Sequence, residues 1–308
     1  MLDKQTGKAY IAAFTYSFII GFSFLFFKLT LTVADPIDTL AHRFTASFIA
    51  ILIPVIFGWI KLTIQLKDII RILPLALFYP TMFFAFQIFG LVYTTSSEAG
   101  IVQATIPIFT LILATIFLKE KTTIWQKLSI ILSVSGVIYI FIMKGTALNV
   151  ANLKGTLLLL ISAFSFAGYS VLARPLTKKF TPTDLTFMMM TIAFLTFNSI
   201  SLMKNGFNGS LHLYIKPLLS PMFVIAILYL GVLSSLVTAL LSNYVLSKIE
   251  ASKMSVFGNL STLVSIIAGA VFLHEQLYYY HIIGASMIIL GVIGTNFLST
   301  GMKKKTAV

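Results

Sequence analysis

The chain has 308 residues, 58% of them hydrophobic and only 10% charged, with a mean hydropathy of +0.98. A soluble domain carries about 25% charged residues, so this composition excludes a water-soluble globule and makes the bilayer the solvent. The net charge of +13 is no nucleic-acid footprint, because the basic residues stand singly or in short clusters between apolar runs; the absence of cysteine excludes disulfides, thiolate metal sites and cysteine nucleophiles.

A membrane span needs about 20 mostly apolar residues. In chain order the pattern predicts spans near 9–32, 38–60, 70–92, 96–118 and 124–143, then 154–173, 184–203, 221–246, 251–273 and 277–299. The first has a basic flank, yet its apolar run exceeds the roughly 7–15 residues of a signal-peptide core, so it is read as retained. The fold class is all-α integral membrane, with ten transmembrane helices.

The chain states its plan twice. Lys8, Lys28, Pro36 and Asp38 are answered by Lys154, Arg174, Pro182 and Asp184 at an offset of 146, and Ile116 to Lys121 (IFLKEK) and Gly136 by Val271 to Gln276 (VFLHEQ) and Gly291 at an offset of 155. The nine extra residues fall in the polar stretch from Lys204 to Pro221. Residues 8–144 and 153–301 thus read as two five-helix repeats. An odd number of crossings makes the second enter from the opposite side, the inverted-repeat architecture common among secondary transporters.

Basic residues in short loops stay on the cytoplasmic side. With the N-terminus inside, sixteen Lys and Arg fall on the cytoplasmic side and four (Lys144, Lys154, Lys204, Lys216) on the outer one, leaving Lys28 and Arg43 aside. Both termini are therefore expected in the cytoplasm and the protein in the cell membrane.

The two halves, Glu120 and Glu275 closing the fourth and ninth spans after an aliphatic run, and Arg43 early in the second span together resemble the drug/metabolite transporter superfamily, EamA type. The resemblance runs from about Lys8 to Gly301. It rests on the order of ten spans with duplicated landmarks, since a leucine-rich run ending in glutamate is common. Two positions depart from the internal symmetry: Arg43 is matched by Met189, and Pro107 by Thr262. The resemblance implies a secondary carrier, often an exporter of amino acids or other small metabolites. It also implies a central cavity lined by the first, third, fourth, sixth, eighth and ninth spans.

Polar side chains in hydrocarbon normally face the bundle interior or a water-filled path. Gln87 and Gln103 fall in the outer third, and their repeat counterparts lie at or beside Asn243 and Asn259 in the inner third, so the four amides form one cluster per face. Each amide serves equally well as interhelical glue worth about 1 kcal/mol. Tyr79 and Tyr169 lie deep in their spans, where a hydroxyl wants a partner, and Phe18 and Phe22 sit one turn apart in the first span as an apolar wall. Ordinary packing is the competing reading of all four. Pro80 and Pro107 mark bends, because proline frees a carbonyl in the preceding turn; proline is also simply tolerated in such helices.

Arg43 lies about five residues into its span and is assigned either a structural pairing with an acid such as Glu98 or contact with solute. Glu98 either exchanges a proton or favours a helix N-terminus. Its repeat equivalent is Lys253, so proton coupling has no symmetric carboxylate pair behind it. Lys28 is placed at the interface near Asp35 or Asp38.

The competing classes are a membrane-embedded enzyme, a channel, and a structural or receptor subunit. His42, His212, His274 and His281 are scattered, none with a partner at metal-ligand spacing. No catalytic constellation, cofactor motif or metal site is therefore predicted. A channel lacks any selectivity-filter loop or charge ring. The partners expected are the bilayer, a small solute, and a proton or counter-solute; oligomeric state stays open.

Overall fold

A computed structural model describes residues 4–93, 99, 102–143, 153–207, 209–272 and 278–297. Hydrocarbon offers no water to free N–H and C=O groups, so each apolar run closes its backbone bonds internally as a helix. The first half runs α1 (Lys4–Leu31), α2 (Pro36–Ile56), α3 (Ile69–Tyr93), α4 (Ile106–Phe117) and α5 (Ile124–Met143). The second runs α6 (Leu153–Leu176), α7 (Pro182–Phe207), α8 (Pro221–Lys248), α9 (Phe257–Phe272) and α10 (Tyr279–Phe297). Among the described residues seven of these, all but α4, α5 and α9, are long and apolar enough to cross a membrane. Those three take the places predicted for the fourth, fifth and ninth spans. Below, the near end is the end of the bundle where α1 begins, and the far end is its opposite.

Helix starts are written in the local sequence. Asp35 accepts from the Ile37 N–H (3.0 Å) with Pro36 opening α2, and Ser220 caps α8 with Pro221 next. At α5, Thr123 and Gln126 exchange reciprocal bonds: the Gln126 N–H donates to Thr123 Oγ1, and the Thr123 N–H to Gln126 Oε1. Thr181 and Asp184 do the same at α7. Each satisfies two orphan donors at a helix start.

The two halves are interleaved rather than laid side by side. α1 packs on α8 and α9 of the other half, and α6 packs on α3 and α4. α2 lies against α7, and α5 against α10, so each of these pairs joins equivalent helices. A two-fold relation between halves produces this pattern: every contact of α1 with the second half recurs for α6 with the first. The exposed Ile11 and Phe18 on α1 likewise recur as Leu157 and Phe164 on α6. Apolar stripes exposed on a helix bundle are what lipid requires.

Close approach between helices is set by small residues. A Cβ built on Gly231 would stand 2.6 Å from the Arg43 carbonyl oxygen and 2.7 Å from Ala46 Cβ, so α2 and α8 touch backbone to backbone there. Ser47 Oγ donates to the Gly231 carbonyl (2.8 Å) across the same contact. Gly231→Val should therefore force α2 off α8. A loss of about 1–3 kcal/mol, the range for overpacking, is expected as a lower melting temperature of the purified protein in detergent; an unchanged melting curve would show that the contact is loose.

Candidate functional site

The middle of the bundle is organised by interruptions at matching places in the two halves. In α3 the backbone leaves the helix at Tyr79 (φ −144°, ψ 126°), and the Tyr79–Pro80 peptide is cis. In α8 the turns widen over Tyr229–Val237, where backbone bonds skip one residue more than in an α-helix. At the offset of 155, Tyr79 and Pro80 correspond to Ser234 and Ser235. The interruption is thus kept in the second half without its proline.

Both interruptions are occupied by side chains from other helices. Arg43, only 2% exposed, reaches from α2 into the wide segment of α8. Its Nε donates to Ser235 Oγ (2.6 Å), and its Nη2 donates to the Ser234 carbonyl (3.2 Å) and Ser234 Oγ (3.1 Å). The guanidinium also lies 4.0 Å from the centre of the Phe84 ring, a cation–π contact in a dry site. From Phe84 a chain of rings continues: Tyr79 at 5.4 Å, and from Tyr79 to Tyr169 at 4.7 Å and Phe166 at 5.4 Å. The Tyr169 hydroxyl donates to Asn243 Oδ1 (2.9 Å) and also lies 3.1 Å from Ser242 Oγ, while Asn243 Nδ2 donates to Thr186 Oγ1 (3.0 Å). Tyr16 of α1 is buried in the same core, and the Tyr229 hydroxyl of α8 donates to the Ile19 carbonyl of α1 (2.9 Å). One continuous network therefore joins α1, α2, α3, α6, α7 and α8.

The near end is tied shut by two carboxylates. Glu120, just past the positive-φ residue Lys119, accepts from the N–H groups of Ala251 (3.0 Å) and Ser252 (3.4 Å) and from Ser252 Oγ (2.9 Å). It thereby caps the short helix Ala251–Ser255 that leads into α9. Arg174 Nε stands 3.9 Å from Glu120 and Arg174 Nη1 donates to the Leu246 carbonyl, so α6 and α8 join the same clasp. Asp184 holds the chain between α2 and α3 through the Thr63 N–H (2.9 Å) and Thr63 Oγ1 (2.6 Å).

Of the residues singled out from sequence, Arg43, Tyr79, Tyr169 and Asn243 come together at the centre. Gln103 lies beside them: its Nε2 donates to Ser162 Oγ (3.1 Å), Ser162 donates to the Phe83 carbonyl, and Gln103 Oε1 is buried with no partner among the described residues. Gln87 is buried on α3. Pro80 lies at the break in α3, and Pro107 opens α4 immediately after the turn at Ala104 and Thr105. Asn259 lies apart from this cluster and donates to Ser133 Oγ of α5 (2.9 Å). Phe18 is 50% exposed on the stripe with Ile11 and Phe14 and packs its ring on Phe22 (5.0 Å). Asp35 pairs with Lys204 (2.8 Å), and Asp38 binds Ser201 and Asn205; the Lys28 side chain lies outside the described residues. Glu98, His274 and Glu275 lie outside the described residues.

Sequence reasoning missed Ser234, Ser235, Tyr16 and the Glu120 clasp. The serine pair was detectable, since the repeat offset lays it on Tyr79–Pro80.

An interleaved, inverted-repeat helix bundle with paired interruptions at its centre defines a membrane carrier. The chain belongs to the EamA-like transporter family, whose pattern matches residues 7–142 and again residues 153–297. It is 55% identical over 306 residues to the uncharacterized transporter YcxC of Bacillus subtilis (strain 168), covering 99% of this chain and 97% of that one. An uncharacterized transporter of Archaeoglobus fulgidus is 29% identical over 88% of this chain and 92% of its own length. A crystal structure superposes with a TM-score of 0.76 at 15% identity, covering 94% of this chain and 99% of that chain, which speaks for the fold alone. The protein is accordingly a multi-pass membrane transporter of small solutes within the drug/metabolite transporter superfamily.

The Arg43 contact yields a direct test. Ser235→Ala leaves the guanidinium Nε without its acceptor in a dry site, where an unmet charged donor costs about 1–3 kcal/mol or more. A clear fall in melting temperature is expected for Ser235→Ala and a small one for Ser235→Thr, which keeps the hydroxyl; equal falls in both would show that packing rather than the bond matters.

Proposed function

We propose that the protein is a secondary active carrier that exports amino acids or related zwitterionic and apolar solutes by alternating access through the centre of the bundle. On this reading it sits in the cell membrane with both termini cytoplasmic, so the near end faces the cytoplasm. The observation that carries it is the pair of matched interruptions in α3 and α8, bridged by Arg43 and by the ring chain from Phe84 to Tyr169. Interrupted helices expose backbone groups only where protein or a solute satisfies them. Carriers use such half-helices at the repeat interface to bind solute near mid-membrane.

The solute's place in this reading is beside Gln103, whose buried Oε1 has no donor among the described residues and whose amide bonds Ser162, the partner of the Phe83 carbonyl. A carbonyl oxygen left without a donor in a dry site is costly, and a solute N–H relieves that cost. Tyr169 and Asn243 form the near-side wall, and the Glu120 clasp is the gate that must open to the cytoplasm. Pro80 and Pro107 are the proposed points of bending, while Glu98 and Arg43 remain proposed coupling positions. A proton or counter-solute supplies the driving gradient.

Two variants separate this reading from mere interhelical glue. In proteoliposomes loaded with amino acids, Gln103→Leu is expected to cut counterflow about tenfold, matching roughly one lost hydrogen bond of about 1.4 kcal/mol. Asn259→Ala, which faces α5, should leave flux within about twofold of wild type. Undiminished flux in Gln103→Leu at normal reconstitution would remove that residue from the path, and no flux in wild type with any amino acid would sink the proposed substrate class. For the gate, Glu120→Gln weakens the cap and the Arg174 pairing; crosslinking between cysteines placed at positions 121 and 252 should fall relative to the parent. Unchanged crosslinking would mean that the clasp does not hold the near end closed.

A further inference from the structure

The far end carries a cavity of about 680 Å³ bordered by the α1–α2 turn, the end of α7 and the polar stretch with the nine extra residues. Asp35, Asp38, Lys204 and Lys216 supply its charges, and Val33, Leu213 and Leu219 much of its apolar wall. Asp38 is the key residue. It is 3% exposed, yet both hydrogen bonds it accepts, from Ser201 Oγ and from Asn205 Nδ2 (2.9 Å), end on Oδ1. Among the described residues nothing donates to Oδ2. Lys204 does not neutralise it, being drawn to Asp35 at 2.8 Å.

The repeat provides the internal comparison. Asp184, the counterpart of Asp38 at the near end, accepts four bonds over both oxygens, from the backbone and hydroxyl groups of Thr63 and Thr181. There the loop between α2 and α3 is folded into the carboxylate. At the far end the position matching Thr63 is Leu218 and that matching Thr181 is Asp35, so neither hydroxyl is present. The longer stretch stands off instead and encloses a cavity where the near end has chain. A largely buried carboxylate whose second oxygen opens onto a cavity, with no donor on it among the described residues, is a favourable seat for a cationic donor.

We propose that this far-end pocket binds the primary ammonium group of a small zwitterion. The ammonium sits on Asp38 Oδ2, the solute carboxylate faces the exposed Lys216, and an apolar side chain lies against Val33, Leu213 and Leu219. The pocket is thus an outer station for amino acids with apolar side chains. Its role rests on the transport reading above, but binding to it is measured without flux.

The test is calorimetric titration of the full-length protein in phosphatidylglycerol nanodiscs with L-leucine, with isoamylamine, which keeps only the ammonium, and with 4-methylpentanoate, which keeps only the carboxylate. L-leucine and isoamylamine should bind, and 4-methylpentanoate at least tenfold more weakly. Asp38→Asn should weaken both amines at least tenfold. Lys216→Gln, on an exposed residue that does not threaten the fold, should weaken L-leucine several-fold and leave isoamylamine unchanged, and it decides the matter if Asp38→Asn does not fold. Absence of amine binding, equal binding of 4-methylpentanoate, or unaltered binding in folded Asp38→Asn overturns the proposal. So does loss of binding when phosphatidylethanolamine replaces phosphatidylglycerol, which would assign the pocket to a lipid ammonium. Flux without binding refutes only this pocket, whereas binding without flux refutes only the carrier reading.

Discussion

The seating of Arg43 in the widened turns of α8 is the contact on which the centre depends. A guanidinium away from water is tolerable only when its donors are met, and here Ser234 and Ser235 meet them. They can do so because α8 is unwound enough to offer a carbonyl as well as two hydroxyls, and because Gly231 lets α2 come within backbone contact one turn away. Arg43 in turn lies over Phe84, whose ring touches Tyr79 at the break in α3. One cation therefore ties the irregular segment of each half to the other. Neither irregular segment would be supported by its own half alone.

The two-fold relation explains much of the rest, and its failures are as informative as its successes. Asp184 and Asp38 begin equivalent helices, but the first is sealed by threonines and the second borders a cavity. Met189 stands where Arg43 stands in the first half, and it touches Asn243 Nδ2 (3.5 Å) beside Tyr169 instead of entering a wide turn. The centre thus has a cationic side against α8 and a hydroxyl–amide side against α6 and α7. That difference in chemistry falls across the middle of the bundle, between its two ends.

The spans were legible because hydrocarbon leaves so few choices: a long apolar run must be a helix, and most predicted ranges fall within about six residues of the helices found, the fourth being shorter at its start (Ile106–Phe117 against 96–118). The repeat was legible because Pro36, Asp38, Pro182 and Asp184 sit at helix starts, where side-chain identity is dictated locally. At the centre, Tyr79, Tyr169, Asn243 and Arg43 were found by the cost of polar groups in lipid. What was not legible depends on rotation about a helix axis. Phe18 and Tyr16 are two residues apart, yet one is half-exposed and the other is buried in the core. Asn259 turns to Ser133 of α5, a direction that spacing alone does not give. Serine escaped notice because its hydroxyl usually bonds its own helix, as Ser165 and Ser170 do here, and only a tertiary partner such as Arg43 distinguishes Ser235.

The interleaving has a consequence for how the protein is made. Ser17 Oγ of α1 donates to the Phe257 carbonyl (2.6 Å), a partner 240 residues later in the chain. At translation rates of about 5–20 residues per second, α1 waits roughly 12 to 48 seconds for that partner to be synthesised. Through that interval Tyr16 and Ser17 sit in lipid without their native neighbours, and the first half cannot close on itself in the meantime. Biogenesis is therefore the period when this chain most needs another membrane component to shield it, and the last-made helices are the ones that release the first.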